Sequence, residues 1–391
     1  MTRTASSVHG TRILVVSWGL PPFTSGSAVI VGNLAKQFSR SEMVVVGSKA
    51  MGFPPVEWRE SWPKIERCSI SAPREWRGQR WIRWLQTPTA LLRVLWIARQ
   101  QHCSAVLAVF PTEGYLFIGY AVARLLGIDF FPYFHNTYFE NRSGLAQRVA
   151  GWFQQRVFKA AKHVFVMSEG MVRLYRDRYP KLDCSALIHS FNEPVPEFQP
   201  PPRPSATPRV AILGNINEAC REATQRFHAA LSNPSRAHLD FITGVPRSRL
   251  KDLGLFGENV SVRSVSRDHV IAALQECELV FLPHGFSGGL SPAEYQTIFP
   301  TRTIEYLICG RPILAHAPAN SFLSSFLKEN ECALVVDRAE ATAVREGLER
   351  LVVDGDLRDR LVRNALRAAR QFYAPAVSRD FRNRLGMADP K

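Results

Sequence analysis

The chain has 391 residues, 46% hydrophobic and 21% charged, with a formal net charge of +15. That length suits two domains with a core each, and that composition is of a folded protein rather than a disordered tail. Seven scattered cysteines, odd in number and without a CxxC or Cys/His pairing, argue against a disulfide framework or a structural zinc and for a reducing compartment. No stretch reaches the ~18 uninterrupted apolar residues of a membrane span. The nearest, around residues 115–134, is broken by Arg124 and Asp129. The start, MTRTASSVHGTR, is short and polar, with no signal-peptide pattern, so the expectation is a cytoplasmic protein.

RILVVSW reads as a buried strand, followed by a Gly/Ser/Pro loop and a helix over residues 28–39. Gly26 and Ser27 open that helix, where backbone N–H groups can approach an anion closely. The loop is not GxGxxG, which gives a dinucleotide oxidoreductase little support. EMVVVGS is a second strand. Residues 73–100, PREWRGQRWIRWLQTPTALLRVLWIARQ, then set Trp76, Trp81, Trp84 and Trp96 among Arg77, Arg80, Arg83, Arg93 and Arg99. Trp favours the membrane interface and Arg favours anionic headgroups. The stretch reads as a monotopic membrane contact, or as an amphipathic helix whose Trp side chains enter the core. A nucleic-acid patch is disfavoured, because the basic residues lie within an apolar helical pattern.

SAVLAVF, a helix around residues 119–126 and FFPYFH form another unit, and HVFVMS and ALIHSF close the first half. His135 ends a strand, where active sites form in such sheets, although a hydrogen-bonded edge histidine is commoner. Residues 194–209, PVPEFQPPPRPSATPR, hold seven prolines and read as an extended linker. Beyond it RVAILGN, LDFITG, VSVRSV, ELVFLPH, PILAHA and CALVVD alternate with helical segments. Short apolar strands alternating with helices imply parallel sheets covered on both faces. The fold class is therefore α/β, with two Rossmann-like doubly wound domains facing a central cleft. The expected domains are 1–195, a linker 196–209, 210–371, and a segment 372–391 that returns to the first domain. Residues 1–195 hold 24 Lys+Arg against 12 Asp+Glu, and the remainder 25 against 22, so the basic charge sits on one half. That asymmetry favours the membrane reading.

FPTRTIEYLICGRPIL, residues 299–314, compresses a loop, a helix and a strand. Pro300 and Thr301 mark the helix start, with the Thr301 hydroxyl expected as a cap, and Gly310 and Pro312 stop it. Thr301, Arg302 and Thr303 bring hydroxyls and one guanidinium to a helix N-terminus, which suits a phosphate. Glu305, a turn further in, could accept hydrogen bonds from a sugar diol. An ordinary αβ corner with a surface Arg and a solvated Glu explains the same residues. Asp354-Gly355-Asp356 imitates a DxD metal motif, but its place before DLRDRLVRNALRAARQF predicts a helix cap, so no metal site is expected.

The motif at residues 299–314 resembles the nucleotide-sugar site of retaining GT-B glycosyltransferases, the glycosyl transferases group 1 and family 4-like proteins. The resemblance runs over nearly the whole chain. It implies a nucleotide diphosphate sugar as donor substrate, no further cofactor, no divalent metal, and retention of configuration. Glu305 matches the ribose-binding Glu and Arg302 its basic neighbour, while a second family Glu falls at Thr297. The loop at Gly26 and Ser27 resembles the family's PPxxxGG segment beside the donor phosphates. YFHNTYFENR resembles the segment whose His reaches the transferred sugar, so His135 is the implied catalytic-site residue, with Asn136 in place of the usual Asp. VFVMSEG resembles the family's SE segment and implies Ser168 and Glu169 on the acceptor side. Glu169 is equally explained by the helix dipole. After the first strand of the second half, Gly214 and Asn215 stand at the donor loop, Asn215 where Arg is usual. The usual Lys falls at Cys220, with Arg221 adjacent as the candidate cation; Arg221 is also explained as a neighbour of Glu222 on a solvated helix face. Gly244 and residues 263–265 occupy places that hold the base through backbone.

The resemblance and the basic Trp-rich stretch together imply transfer to a lipid-linked or cell-envelope glycan acceptor. The protein would then sit peripherally on the inner face of an anionic membrane, without nucleic acid. Two other readings stay open. One is a nucleotide-sugar epimerase or hydrolase of the same architecture; the other is a catalytically degenerate GT-B binding protein, which the changes at Asn136, Asn215 and Thr297 fit.

Overall fold

A computed structural model describes residues 11–23, 25–49, 57–69, 79–232 and 236–387, with backbone alone at residues 69, 79–84 and 232. The chain divides into two compact units. The first contains Met1–Met167, Tyr175–Asn192 and Ala374–Lys391; the second contains Ser168–Leu174 and Glu193–Tyr373.

The first unit runs β1 (Ile13–Val16), α1 (Gly26–Ala35), β2 (Met43–Ser48), β3 (Lys64–Ser69), α2 (Gln79–Gln100), β4 (Ala105–Phe110), α3 (Glu113–Leu126), β5 (Asp129–Phe134), α4 (Gly144–Ala160), β6 (Val164–Val166), the end of α5 (Glu169–Arg178), whose first residues group with the second unit, and β7 (Cys184–Ala186). Its seven strands lie in the order β3-β2-β1-β4-β5-β6-β7. Every pairing is parallel, with Ile13 beside both Met43 and Ala105. β1, β2 and β4 are buried at every position, as a parallel sheet covered on both faces requires. Gly119 of α3 packs so closely that a Cβ there would lie 2.4 Å from the Ala108 Cβ, so only glycine lets this helix rest on β4. The helix predicted over residues 28–39 starts earlier, at Gly26, because Ser25 caps it by accepting from Ala28 N at 3.4 Å, and it ends at Ala35. The helix predicted around residues 119–126 begins at Glu113, with Thr112 at its N-terminal boundary.

The second unit runs β8 (Arg209–Leu213), α6 (Arg221–Ser232), β9 (His238–Ile242), α7 (Arg247–Asp252), β10 (Val260–Arg263), α8 (Val270–Gln275), β11 (Leu279–Pro283), α9 (Pro292–Thr297), α10 (Arg302–Ile308), β12 (Ile313–His316), α11 (Phe322–Glu329), β13 (Leu334–Val336), α12 (Ala341–Val353) and α13 (Gly355–Ala369). Its six parallel strands order as β10-β9-β8-β11-β12-β13. The order in which the chain steps across the sheet reverses between β8 and β11, the switch point where a doubly wound sheet opens a crevice at its carboxyl edge. The core of this unit is aliphatic around one stacked pair, Phe227 and Phe281, 3.7 Å between centroids. Asp354 caps α13 by accepting from Leu357 N at 2.9 Å, as the sequence predicted for the DGD segment.

The last helix, α14 (Ala374–Leu385), belongs to the first unit. Ala374 N donates to Phe191 O at 2.9 Å, and Phe381 packs edge-on against Phe38 and Phe165. Arg382 is almost fully buried, stacks over Phe38 and donates to Glu42 at 2.6 Å and to Gln37 O at 3.2 Å. Those contacts outweigh the partial burial of Glu42 and hold its carboxyl down at about 2. Arg382→Ala removes both the charge partner and the stacked surface, and should cost about 2–4 kcal/mol in urea unfolding of the intact protein. An unchanged midpoint would show that α14 is not fastened through this side chain.

Candidate functional site

In the second unit the site grows from the carboxyl ends of β8 and β11. β8 leaves the sheet through Gly214, whose φ of +83° side chains rarely adopt. Tyr306 of α10 is wholly buried, and its hydroxyl accepts from Leu213 N at 2.8 Å. That bond fixes α10 against the last residue of β8. One turn earlier Arg302 Nη2 donates to Asn215 O at 2.8 Å, with Cys220 Sγ at 3.7 Å. A Cβ on Gly214 would lie 3.9 Å from the Arg302 guanidinium carbon, so the guanidinium lies directly over this turn.

Glu305 is only 5% exposed. Its Oε1 pairs with Arg267 at 2.7 Å, a residue that opens a 3-10 turn after β10. Arg302 Nη1, Thr303 Oγ1 and Glu305 Oε2 are buried and have no hydrogen-bond partner in the chain. Three such atoms within four residues is an unusual concentration, since buried polar atoms are normally satisfied. Of these, Arg302 supplies a cation and Glu305 a carboxylate oxygen, groups that suit a phosphorylated, polyhydroxylated ligand.

Across the switch point, β11 leads to His284 and the loop GFSGGL, residues 285–290. Gly285 N donates to Ala219 O at 2.6 Å and Phe286 N to Glu222 Oε2 at 3.0 Å, which ties this loop to the turn before α6. Gly288 has φ +142°, and a Cβ there would meet the Tyr295 hydroxyl at 2.7 Å. Glu222 pairs with Arg226, which in turn donates to His316 Nε2 at 2.8 Å. His316 Nδ1 lies 2.9 Å from Val336 O, so the ring is the neutral Nδ1–H tautomer. Burial pushes both His316 and His284 down to about 4, and His284 Nε2 donates to Tyr295 O at 2.6 Å.

In the first unit, Gly26 and Ser27 open α1, and Ser27 Oγ lies 2.9 Å from His135 Nδ1 at the end of β5. The His135 ring stacks edge-on against Tyr133 at 4.3 Å, and its Nε2 is buried without a partner. Burial, reinforced by His189, pushes His135 down to about 3, so the ring is neutral at ordinary pH. Such a ring can exchange one hydrogen bond with a ligand hydroxyl but is a poor proton acceptor. Asn136 follows it, partly buried.

Several expectations are corrected. Thr301 does not cap α10: its backbone is already helical, φ −56° and ψ −35°, and the first turn closes through Thr303 N to Pro300 O at 2.9 Å. Arg221 is drawn to Glu218 at 2.9 Å, so its charge is answered locally rather than by the Glu222 beside it. The Ser168 hydroxyl donates to Thr297 O at 2.6 Å and accepts from Met171 N at 3.1 Å, the work of a helix cap within the second unit. Glu169, the exposed first residue of α5, keeps its place as a candidate, as does Gly244, two residues beyond β9 with nothing within 4 Å of a Cβ position. Trp76 and Arg77 fall outside the described residues, while Arg80, Trp81, Arg83 and Trp84 lie in the first turns of α2. Among the described residues no three His, Cys, Asp or Glu side chains group as a metal site would.

Arg267, Tyr306 and the Ser27–His135 pair were not visible as site features in the sequence. Arg267 lies 38 positions before its partner, so no local spacing links it to Glu305. Tyr306 was visible only as the Y of EYL, with the apolar pattern of a core residue.

Residues 25–183 match the glycosyl transferase 4-like domain family. No curated protein matches the chain by sequence. Among solved structures, sucrose-phosphate synthase from Thermosynechococcus elongatus superposes with a TM-score of 0.72 at 14% identity, over 95% of this chain and 98% of that one. Anabaena HepE in complex with UDP and glucose gives 0.69 at 13%, over 96% and 99%. A putative UDP-N-acetylglucosamine 2-epimerase from Listeria monocytogenes gives 0.56 at 9%, over 98% of each. The fold is therefore GT-B, with its two Rossmann-like domains. Its first unit carries the glycosyl transferase 4-like domain.

Two measurements check the site's construction. Tyr306→Phe leaves the buried Leu213 N–H unpaired and should cost about 1–3 kcal/mol of stability; a neutral effect would mean that α10 is held by packing alone. The unfolded chain protonates its histidines below about 6.5, whereas folded His135 resists to about 3 and folded His284 and His316 to about 4. Stability should be full above pH 6.5 and decline as pH falls toward 4. A melting temperature that stays flat through that window would contradict the buried neutral rings.

Proposed function

We propose that the protein transfers a sugar from a nucleotide diphosphate sugar to a lipid-linked or cell-envelope glycan acceptor. Transfer proceeds with retention and without a divalent ion, at the inner face of an anionic membrane. The observation that carries the donor assignment is the Arg302 guanidinium, held over the Gly214 turn with its Nη1 unpartnered, and the unpartnered Glu305 Oε2 one turn along the same helix. In this reading Arg302 balances the charge that grows on the leaving diphosphate, the electrostatic service that dominates such transfers. Glu305 accepts from the ribose diol, and Arg267 yields one carboxylate oxygen to it. His135 offers Nε2 to a hydroxyl of the transferred sugar. Asn136 and Glu169 remain acceptor-side candidates. UDP is the first nucleotide to test, because HepE was solved with UDP and glucose.

The acceptor class rests on the basic, Trp-rich stretch around Trp76, Arg77, Arg80, Trp81, Arg83 and Trp84. No helix among the described residues is long and apolar enough to cross a membrane, so contact with lipid would be peripheral. The degenerate-binding reading has one specific support: Cys220 stands where the family has Lys, and Arg221 is neutralised by Glu218.

Thermal shift of the purified protein against UDP, GDP, ADP and TDP, with and without EDTA, tests the donor assignment. One diphosphate should stabilise selectively and independently of EDTA. Arg302→Ala and Glu305→Ala should abolish that shift and lower kcat/KM by about 100-fold or more while the fold persists. Binding without any turnover would favour the degenerate reading, and no binding by any of the four would remove the donor site.

A further inference from the structure

We propose that the α2–α3–α4 helix layer of the first unit docks flat on an anionic lipid bilayer. Strand order places these helices together. The connections β3 to β4, β4 to β5 and β5 to β6 all step the same way across the sheet, and right-handed crossovers put all three helices on one face. α2 packs on α3, and Phe153 of α4 meets Phe117 and Tyr120 of α3 at 6.3 and 5.9 Å.

The outer surface of this layer is unlike the rest of the described molecule. Of the ten large apolar side chains that stand exposed among the described residues, eight belong to these three helices. On α4, Leu145, Val149 and Trp152 are 75%, 56% and 58% exposed and follow i, i+4, i+7, so they form one stripe. On α2, Leu85, Leu92 and Trp96 form a second, at 75%, 66% and 58%. Isolated exposed apolar residues need no explanation, but aligned stripes on neighbouring helices do.

Charge identifies the occupant. The three helices carry eight Lys and Arg and one carboxylate, Glu113, which is engaged by Arg142 at 2.7 Å. Arg93, Arg99, Arg124, Arg148, Arg156 and Lys159 are exposed. Arg93 comes no nearer to a carboxylate than 3.9 Å, at Glu66, and Arg156 lies over the Trp152 ring at 4.3 Å. A second copy of the chain on this face would set like charges against each other across an apolar seam. An anionic lipid surface accepts the apolar stripes at the acyl boundary and the guanidinium groups among its headgroups. This deepens the membrane-acceptor reading, and it rests on that reading only for its biological purpose.

The test is flotation of the full chain with phosphatidylcholine vesicles, with and without phosphatidylglycerol. Wild type should float with the anionic vesicles and about tenfold less with neutral ones, and raised salt should weaken the association. Leu145→Glu with Val149→Glu and Trp152→Glu should reduce flotation about tenfold, and so should Arg148→Glu with Arg156→Glu. Circular dichroism melts and UDP release from donor in the absence of acceptor should remain near wild type. Three outcomes would overturn the proposal: no flotation of wild type, α4 variants that float like wild type while Arg80→Glu with Arg83→Glu abolishes it, or a wild-type dimer that the α4 variants dissociate. Flotation through α4 without transfer to any lipid-linked acceptor would leave the surface standing and remove the proposed acceptor class.

Discussion

The contact between the Tyr306 hydroxyl and Leu213 N is the constraint on which the proposed donor site depends. β8 ends at the switch point of its sheet, where the backbone must leave the plane and its N–H groups lose their ladder partners. Tyr306 supplies the missing acceptor from α10, so the strand end and the helix are fixed by one bond. Everything on the first turns of that helix inherits its position. Arg302 reaches Asn215 O, and Glu305 is buried beside Arg267, because the helix cannot slide along the strand end. Gly214 completes the arrangement with a backbone conformation that brings the turn beneath the guanidinium.

Charge is distributed unevenly among the arginines around that turn. Arg221 is matched by Glu218, Arg226 by Glu222, and Arg263 by Asp240 and Glu276. Arg302 has no carboxylate partner among the described residues and bonds a carbonyl instead, leaving one guanidinium nitrogen unsatisfied. A guanidinium held by a neutral group keeps its charge available to an incoming phosphate. The first unit shows a related economy at His135, which burial keeps neutral and Ser27 orients.

The strands were legible in the sequence because parallel sheets bury both faces and leave apolar runs such as AVLAVF. The helix at Arg302 was legible because Pro300, Gly310 and Pro312 punctuate it. Its cap was not: Thr301 has the right chemistry, but its backbone had already turned helical, so its side chain has no capping role. Arg267 was hidden because a salt bridge between distant segments leaves no periodic trace. Ser168 looked like a cleft residue, yet its hydroxyl is occupied by Thr297 O and Met171 N, a demand set by tertiary packing alone. The α4 stripe was not legible, because exposure cannot be read from periodicity without knowing which face the sheet covers.

The most direct measurement is a crystal structure of the protein with UDP bound. The diphosphate should lie within hydrogen-bond distance of Arg302 above Gly214, with the ribose diol on Glu305 Oε2 and Thr303 in a polar contact. Nucleotide bound elsewhere, or a Glu305 that meets only Arg267 while the ribose is held by other residues, would contradict this account of the donor site.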